Sequence, residues 1–216
     1  MSLVNSDDII DIFTLLNKSK LNYIVIRNIN SELPCNLKNN KDIDILIQKK
    51  DRSSFLNFFN DNKYKKIIHP HRNNVFLYGV DKFEFYKNDA NVLFDLNFQI
   101  AVRSLDAGQW IPLDITIQES AWKNKRFKYE NKDFAYWILS YDDEFICLIA
   151  RSIFDKKEFQ DGYIKRINEL FIRINQKEVT KKLNMVFFKF TPFLMKMIEK
   201  KEFTKIVTNY LLFKEY

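Results

Sequence analysis

YIVIRNINSELPCNLKNNKDIDILI, residues 23–47, runs from an apolar stretch through a polar loop and closes on Asp42-Ile43-Asp44 ahead of Ile45-Leu46-Ile47. Read as a strand, Asp42–Ile47 sends Ile43, Ile45 and Ile47 to one face and Asp42 and Asp44 to the other, because side chains alternate. The two carboxylates then stand roughly 6.6 Å apart at the backbone and lean toward one point. Paired anions so close repel each other and resist desolvation, so either a cation resides there or the strand end is fully hydrated. Hard carboxylate oxygens suit Mg2+ or Mn2+, with nucleotide phosphates completing the octahedron.

The stretch sits in a chain of 216 residues, 46% hydrophobic and 16% aromatic, ample for a buried core in one large or two small domains. Three glycines and four prolines argue against linkers and collagen-like repeats, and no solenoid period recurs. Cys35 lies beside Pro34 in a loop and Cys147 in an apolar helical pattern. Two such cysteines make neither a disulfide framework nor a zinc knuckle, and a reducing cytoplasm is the expected compartment. Asp7, Asp8 and Asp11 interrupt any N-terminal apolar segment, and no uncharged run approaches the roughly 20 residues that span a bilayer. The formal net charge is +7, yet the lysines are spread along the chain with acids interleaved. That pattern reads as a solvated basic face and argues against nucleic acid as the partner.

Two regimes follow one another. Residues 6–19 repeat apolar side chains at helical spacing behind an acidic first turn, which predicts an amphipathic helix capped by Ser6. A strand over 23–26 and the Asp42–Ile47 strand come next, then a helix over 51–62 with Phe55, Phe58 and Phe59 on one side. From 64 to 117 the helical period is lost. KYKKIIH, NVFLYGV, KFEFY, NVLFDLNFQI and WIPLDITI read as strands punctuated by Asn73-Asn74, Lys87-Asn88-Asp89 and Ala107-Gly108. After about 118 helices return. Ser140-Tyr141-Asp142-Asp143 has the form of a capping box opening a helix with Phe145, Ile146, Leu148, Ile149, Ile153 and Phe154 inward. The remainder is helical, broken at Thr191-Pro192. The expected fold class is α+β, a mixed sheet flanked by helices over 1–117, followed by a helical region over 118–216.

Asp95, in VLFDLNFQ, is a third acid on an otherwise polar strand face with Asn97 and Gln99. Three carboxylates from two neighbouring strands can hold two metal ions about 4 Å apart. Asp114, in WIPLDITI, competes for the third position by alternation. Chain order favours Asp95, since the hairpins soon after the helix at 51–62 supply the neighbouring strand, and the proline before Asp114 fits an edge. Lys156, with Arg151 and Asp155 toward the end of a helix, can reach a phosphate, although a helix C-terminus favours lysine on its own account. His69-Pro70-His71 reads as a turn. The sequence contains no phosphate-binding P-loop, dinucleotide glycine pattern, nucleophile elbow or zinc spacing.

The order helix, strand, loop, hydrophobic-Asp-x-Asp-hydrophobic strand, helix and later Asp-bearing strand resembles the nucleotidyltransferase superfamily with DNA polymerase beta-like topology. YIVIRN, ELP and DIDILI together are similar to small bacterial nucleotidyltransferase-like proteins found among cell-surface polysaccharide genes. The resemblance covers residues 6 to 100 and the helical remainder in outline. It implies that Asp42 and Asp44 are metal ligands for Mg2+ or Mn2+, and that Asp95 is the third carboxylate and base. Where the superfamily carries Gly-Ser after the first strand, this chain has Arg27-Asn28. Arginine offers a bidentate fork to phosphate and asparagine replaces the serine donor, while the close backbone approach that glycine permits is lost.

The expected function is metal-dependent transfer of a nucleotidyl, or another phosphate-linked group, from a nucleotide or nucleotide-sugar to a hydroxyl of a small acceptor, in surface-polysaccharide assembly. The alternatives are an inactive nucleotide- or protein-binding relative and a nucleic-acid-acting transferase. MVFFKFTPFLMKMIEKKEF, residues 185–203, mixes apolar residues with lysines. It reads first as core with a basic rim, and second as a surface for peripheral association with an anionic membrane.

Overall fold

The structure, a computed structural model, describes residues 2–68, 79–81, 83–105 and 109–215. Apolar residues three and four apart build α1 (Ser6–Lys18), which buries Ile9, Ile12, Phe13 and Leu16. Its cap is Asn5 rather than Ser6. The Asn5 side-chain oxygen accepts from the Asp7 amide at 3.1 Å, which frees Ser6 to enter the first turn. The strand β1 (Tyr23–Val25), the strand β2 (Asp42–Ile47) and the helix α2 (Arg52–Asp61) follow.

Among the described residues one mixed sheet has seven strands. Besides β1 and β2 it contains β3 (Lys65–Ile67), β4 (Glu84–Lys87), β5 (Leu93–Asn97), β8 (Arg126–Tyr129) and β9 (Ala135–Ile138), in the order β3-β4-β5-β2-β1-β9-β8. The pairings β2 with β5 and β1 with β9 are parallel, and the others are antiparallel. A separate two-stranded ribbon pairs β6 (Ala101–Arg103) with β7 (Trp110–Pro112).

Side-chain alternation divides the core in two. Tyr23, Val25, Ile43, Ile45, Ile47, Phe94 and Leu96 pack with Phe13 of α1 and with Phe55 and Phe59 of α2. Ile24 and Leu46 point the other way, into a core built by α3 (Ile115–Lys123), α4 (Tyr141–Arg151), α5 (Asp161–Phe171), α6 (Gln176–Phe187), α7 (Thr191–Glu199) and α8 (Phe203–Leu212). Asp42, Asp44 and Asp95 share the second face by the same alternation.

Several expectations change. The segment after 118 is not helical throughout, because β8 and β9 extend the sheet through the pairing of Val25 with Ile138. The parts expected at 1–117 and 118–216 therefore share one sheet. The strand expected over 110–117 stops at Pro112, and Asp114 caps α3. The strand expected over 74–80 and the turn at His69-Pro70-His71 lie largely or wholly outside the described residues. Ser140 caps α4 as the sequence predicts, accepting from the Asp143 amide at 3.1 Å. Pro192 sits in the first turn of α7, where its missing N–H costs nothing. In the 185–203 stretch Phe187, Phe190, Leu194, Met197 and Ile198 are buried, while Phe188 and Phe193 are exposed.

Candidate active site

The parallel register of β2 and β5 sets Asp44 directly beside Asp95, and Asp42 stands two residues earlier on the same face. Each of the three offers a carboxylate oxygen, and these oxygens all lie within 4.8 Å of one another. Asp95 is fully buried, whereas Asp42 is half-buried. The expected convergence of Asp42, Asp44 and Asp95 is thus present. Asp114 has a separate task, since its carboxylate accepts from the Thr116 amide at 2.8 Å and from the Thr116 hydroxyl.

Asp42 and Asp44 open on a cavity of about 350 Å3 that is also lined by Arg27, Asn28, Lys41, Arg151, Lys156 and Tyr163. Arg27 reaches it because the Ile26 amide donates to the Asp44 carbonyl at 3.1 Å, carrying the chain along β2 beyond the end of β1. The Arg27 guanidinium donates to the Asp44 carboxylate as an ion pair, with the two side chains 14% and 13% exposed. Burial opposes the charge on Arg27. The negative charges of Asp44, Asp95 and Asp42 outweigh it and hold the guanidinium above its ordinary pKa.

Lys156 ends a π-helical turn, Ser152–Lys156, that continues α4, and it lines the cavity. Asn28 stands at the wall with its amide committed to the fold. Its Nδ2 donates to the Tyr136 hydroxyl at 2.7 Å, and its Oδ1 accepts from the Glu32 amide at 2.8 Å.

Tyr163 was not singled out by the sequence, where it reads as one more apolar position of a helix. Burial pushes its hydroxyl up to about 12, with Arg27 opposing and Asp44 adding to the shift. That hydroxyl accepts from Arg151 Nε at 2.8 Å, which ties α4 to α5 at the cavity wall. A second cavity of about 470 Å3 adjoins the first across Asn28, Asn30 and Gly162, and is lined by Tyr136, Lys128, Lys165 and Arg166. Gly162 permits this close partition, since a Cβ there would stand 2.7 Å from Asn30 Oδ1. The signal for these residues is their clustering in space, which a linear pattern does not carry.

The donor set fits a hard divalent ion. Three carboxylates on neighbouring strands offer oxygens only, and two of them, Asp42 and Asp44, face the cavity, where water or phosphate can complete the coordination.

No protein-family model matches the chain, and no curated protein matches it. Among solved structures, the crystal structure of the lincosamide antibiotic adenylyltransferase LnuA with lincomycin bound is similar at 13% sequence identity and a TM-score of 0.44. The alignment covers 79% of this chain and 98% of that chain.

Proposed function

We propose that the protein transfers a nucleotidyl, or another phosphate-linked group, from a nucleotide or nucleotide-sugar donor to a hydroxyl of a small acceptor, using Mg2+ or Mn2+. The observation that carries this reading is the convergence of Asp42, Asp44 and Asp95 within 4.8 Å, with Asp42 and Asp44 lining a cavity that also presents Arg151 and Lys156. The order of parts around them, helix, strand, Asp-x-Asp strand and a third Asp on the adjacent parallel strand, supports a nucleotidyltransferase-like arrangement.

Asp42, Asp44 and Asp95 would hold the ion, which when bound neutralises phosphate charge and lowers the pKa of a hydroxyl near it. Asp95 accepts the proton of the acceptor hydroxyl as that oxygen bonds to phosphorus. The bond from phosphorus to the departing phosphate oxygen breaks, and the leaving group takes the electron pair. Arg151 and Lys156 offset the charge of that leaving group. Cavities of about 350 and 470 Å3 match a nucleotide and a small acceptor in size. The similarity of the YIVIRN, ELP and DIDILI segments supports surface-polysaccharide assembly as the setting.

The test is pyrophosphate or nucleoside phosphate release from a panel of nucleoside triphosphates and nucleotide-sugars, with Mg2+ or Mn2+ and hydroxyl-bearing small acceptors. Release should depend on the metal and fall by about 100-fold or more in Asp95→Asn, the loss expected for a general base. Undiminished nucleotide affinity without any metal-dependent release would overturn the enzymatic reading in favour of a binding protein.

A further inference from the structure

The geometry points to a second part for Arg27, one that rests on the metal reading above. Its guanidinium is a resident counter-cation on Asp44 Oδ1, and a divalent ion drawn to that carboxylate must compete with it. Three carboxylates whose oxygens lie within 4.8 Å of one another, one of them fully buried, repel strongly unless a positive charge stands among them. This chain brings such a charge in its own sequence. The backbone bond from Ile26 to Asp44 delivers residue 27 alongside β2, and Arg27 Nη2 donates to Asp44 Oδ1.

A divalent ion needs lone pairs of the same carboxylate at about 2.0–2.2 Å, a distance at which a guanidinium on that oxygen is both a steric and an electrostatic competitor. The guanidinium has somewhere to go. It lines the cavity with Arg151 and Lys156, and among the described residues its buried Nε makes no hydrogen bond. An anionic phosphate in that cavity would draw the guanidinium off Asp44. Metal and phosphate then favour each other's binding through one side chain, reciprocally. A glycine at this position has no side chain to do this, so Arg27 makes the bare site selective against metal alone.

Calorimetric titration of the full chain with MnCl2 alone, comparing wild type with Arg27→Gln and Arg27→Ala, tests the inference. Circular dichroism identifies the folded variants, and Arg27→Gln, which keeps most of the side chain, decides if Arg27→Ala does not fold. Removal of the competing charge should tighten Mn2+ binding by about tenfold or more. Mn2+ should also raise the melting temperature of Arg27→Gln more than that of wild type. Mn2+ affinity in the folded variants equal to or weaker than that of a binding wild type would overturn the competition and leave the metal site standing. Absence of Mn2+ binding in all the folded chains would overturn both.

Discussion

Asp42 and Asp44 are two residues apart on one strand face, but only Asp44 holds a guanidinium. Asp42, half-buried at the cavity mouth, takes part in no ion pair among the described residues. Asp42→Asn therefore removes repulsion and should leave stability unchanged or slightly higher. Asp44→Asn leaves Arg27 with a neutral partner in a largely desolvated position and should cost about 1–3 kcal/mol. Urea denaturation of both variants measures the difference, and equal losses would contradict it. On the proposed metal site each substitution removes a ligand, and both should weaken Mn2+ binding. The three acids were legible one residue at a time because strand alternation is strict: an acid at every second position of an otherwise apolar strand has only one face to occupy. The role of Arg27 was legible only as far as its charge. Its partner is set by the pairing of β1 with β2, which no local pattern records.

The strand β4 buries Glu84 at 1% exposure between Arg52 of α2 and Lys66 of β3, both of which donate to its Oε1. Burial alone would raise the Glu84 pKa, and the bonds from Arg52 and Lys66 reverse this and hold it below the ordinary glutamate value. A depressed folded pKa means that the unfolded chain binds more protons in acid. The stabilisation is present above about pH 4.3, the ordinary value for glutamate, and is lost as pH falls through the lower folded value. Glu84→Gln should flatten the acid limb of melting temperature against pH below about pH 4.3. An unchanged acid limb would show that this ion pair does not link β4 to its neighbours.

The helices α3, α4 and α6 are joined by a buried polar cluster. Asp143 accepts from the Ser120 hydroxyl at 2.8 Å, from the Ser140 hydroxyl at 2.7 Å and from Lys182 Nζ at 2.7 Å. Because Asp143 is fully buried and Lys182 is 14% exposed, removing either charge strands the other. Asp143→Leu and Lys182→Met should each cost about 3 kcal/mol, and the double variant should cost much less than their sum. A double-mutant cycle by chemical denaturation reads this, with simple additivity as the contrary result. The sequence marks α4 by its Ser140 cap, whereas the start of α3 at Ile115 reads as the end of a strand, for a reason visible in the residues. Ile115, Thr116 and Ile117 are β-branched and favour strands, but the Asp114 carboxylate on the Thr116 amide starts a helix there. The strand β8 was missed because its alternation, Phe127 and Tyr129 against Arg126 and Lys128, lasts only four residues at a half-exposed sheet edge inside a lysine-rich segment.

At the scale of the whole molecule, the sheet is closed by residues far apart in sequence. Such parallel pairings, β2 with β5 and β1 with β9, are set by packing rather than by any short motif. The C-terminal helices belong to the same body. Leu194, Ile198, Phe203, Ile206 and Tyr210 lie in one core with Ile24 and Leu46 of the sheet, and the ring of Tyr210 meets Phe154 and Phe187 at 5.8 and 5.6 Å. A chain ending at residue 184 should lose cooperative melting in calorimetry, because its absent aromatic and aliphatic side chains each contribute about 1.5–3 kcal/mol of burial. A cooperative transition at the full-length temperature would contradict the packing of these helices into one core with Ile24 and Leu46. No helix among the described residues is long and apolar enough to cross a membrane.

On the proposed function Asp42, Asp44 and Asp95 hold a divalent ion against a nucleotide's phosphates. Anomalous diffraction from a crystal soaked with Mn2+ and a non-hydrolysable nucleoside triphosphate tests it most directly. A manganese peak is expected about 2.0–2.2 Å from oxygens of Asp42 and Asp44, with phosphate in the cavity beside Arg151 and Lys156 and the Arg27 guanidinium moved off Asp44. A saturating soak with no peak at the three carboxylates, Arg27 still on Asp44 and the nucleotide bound elsewhere would contradict it.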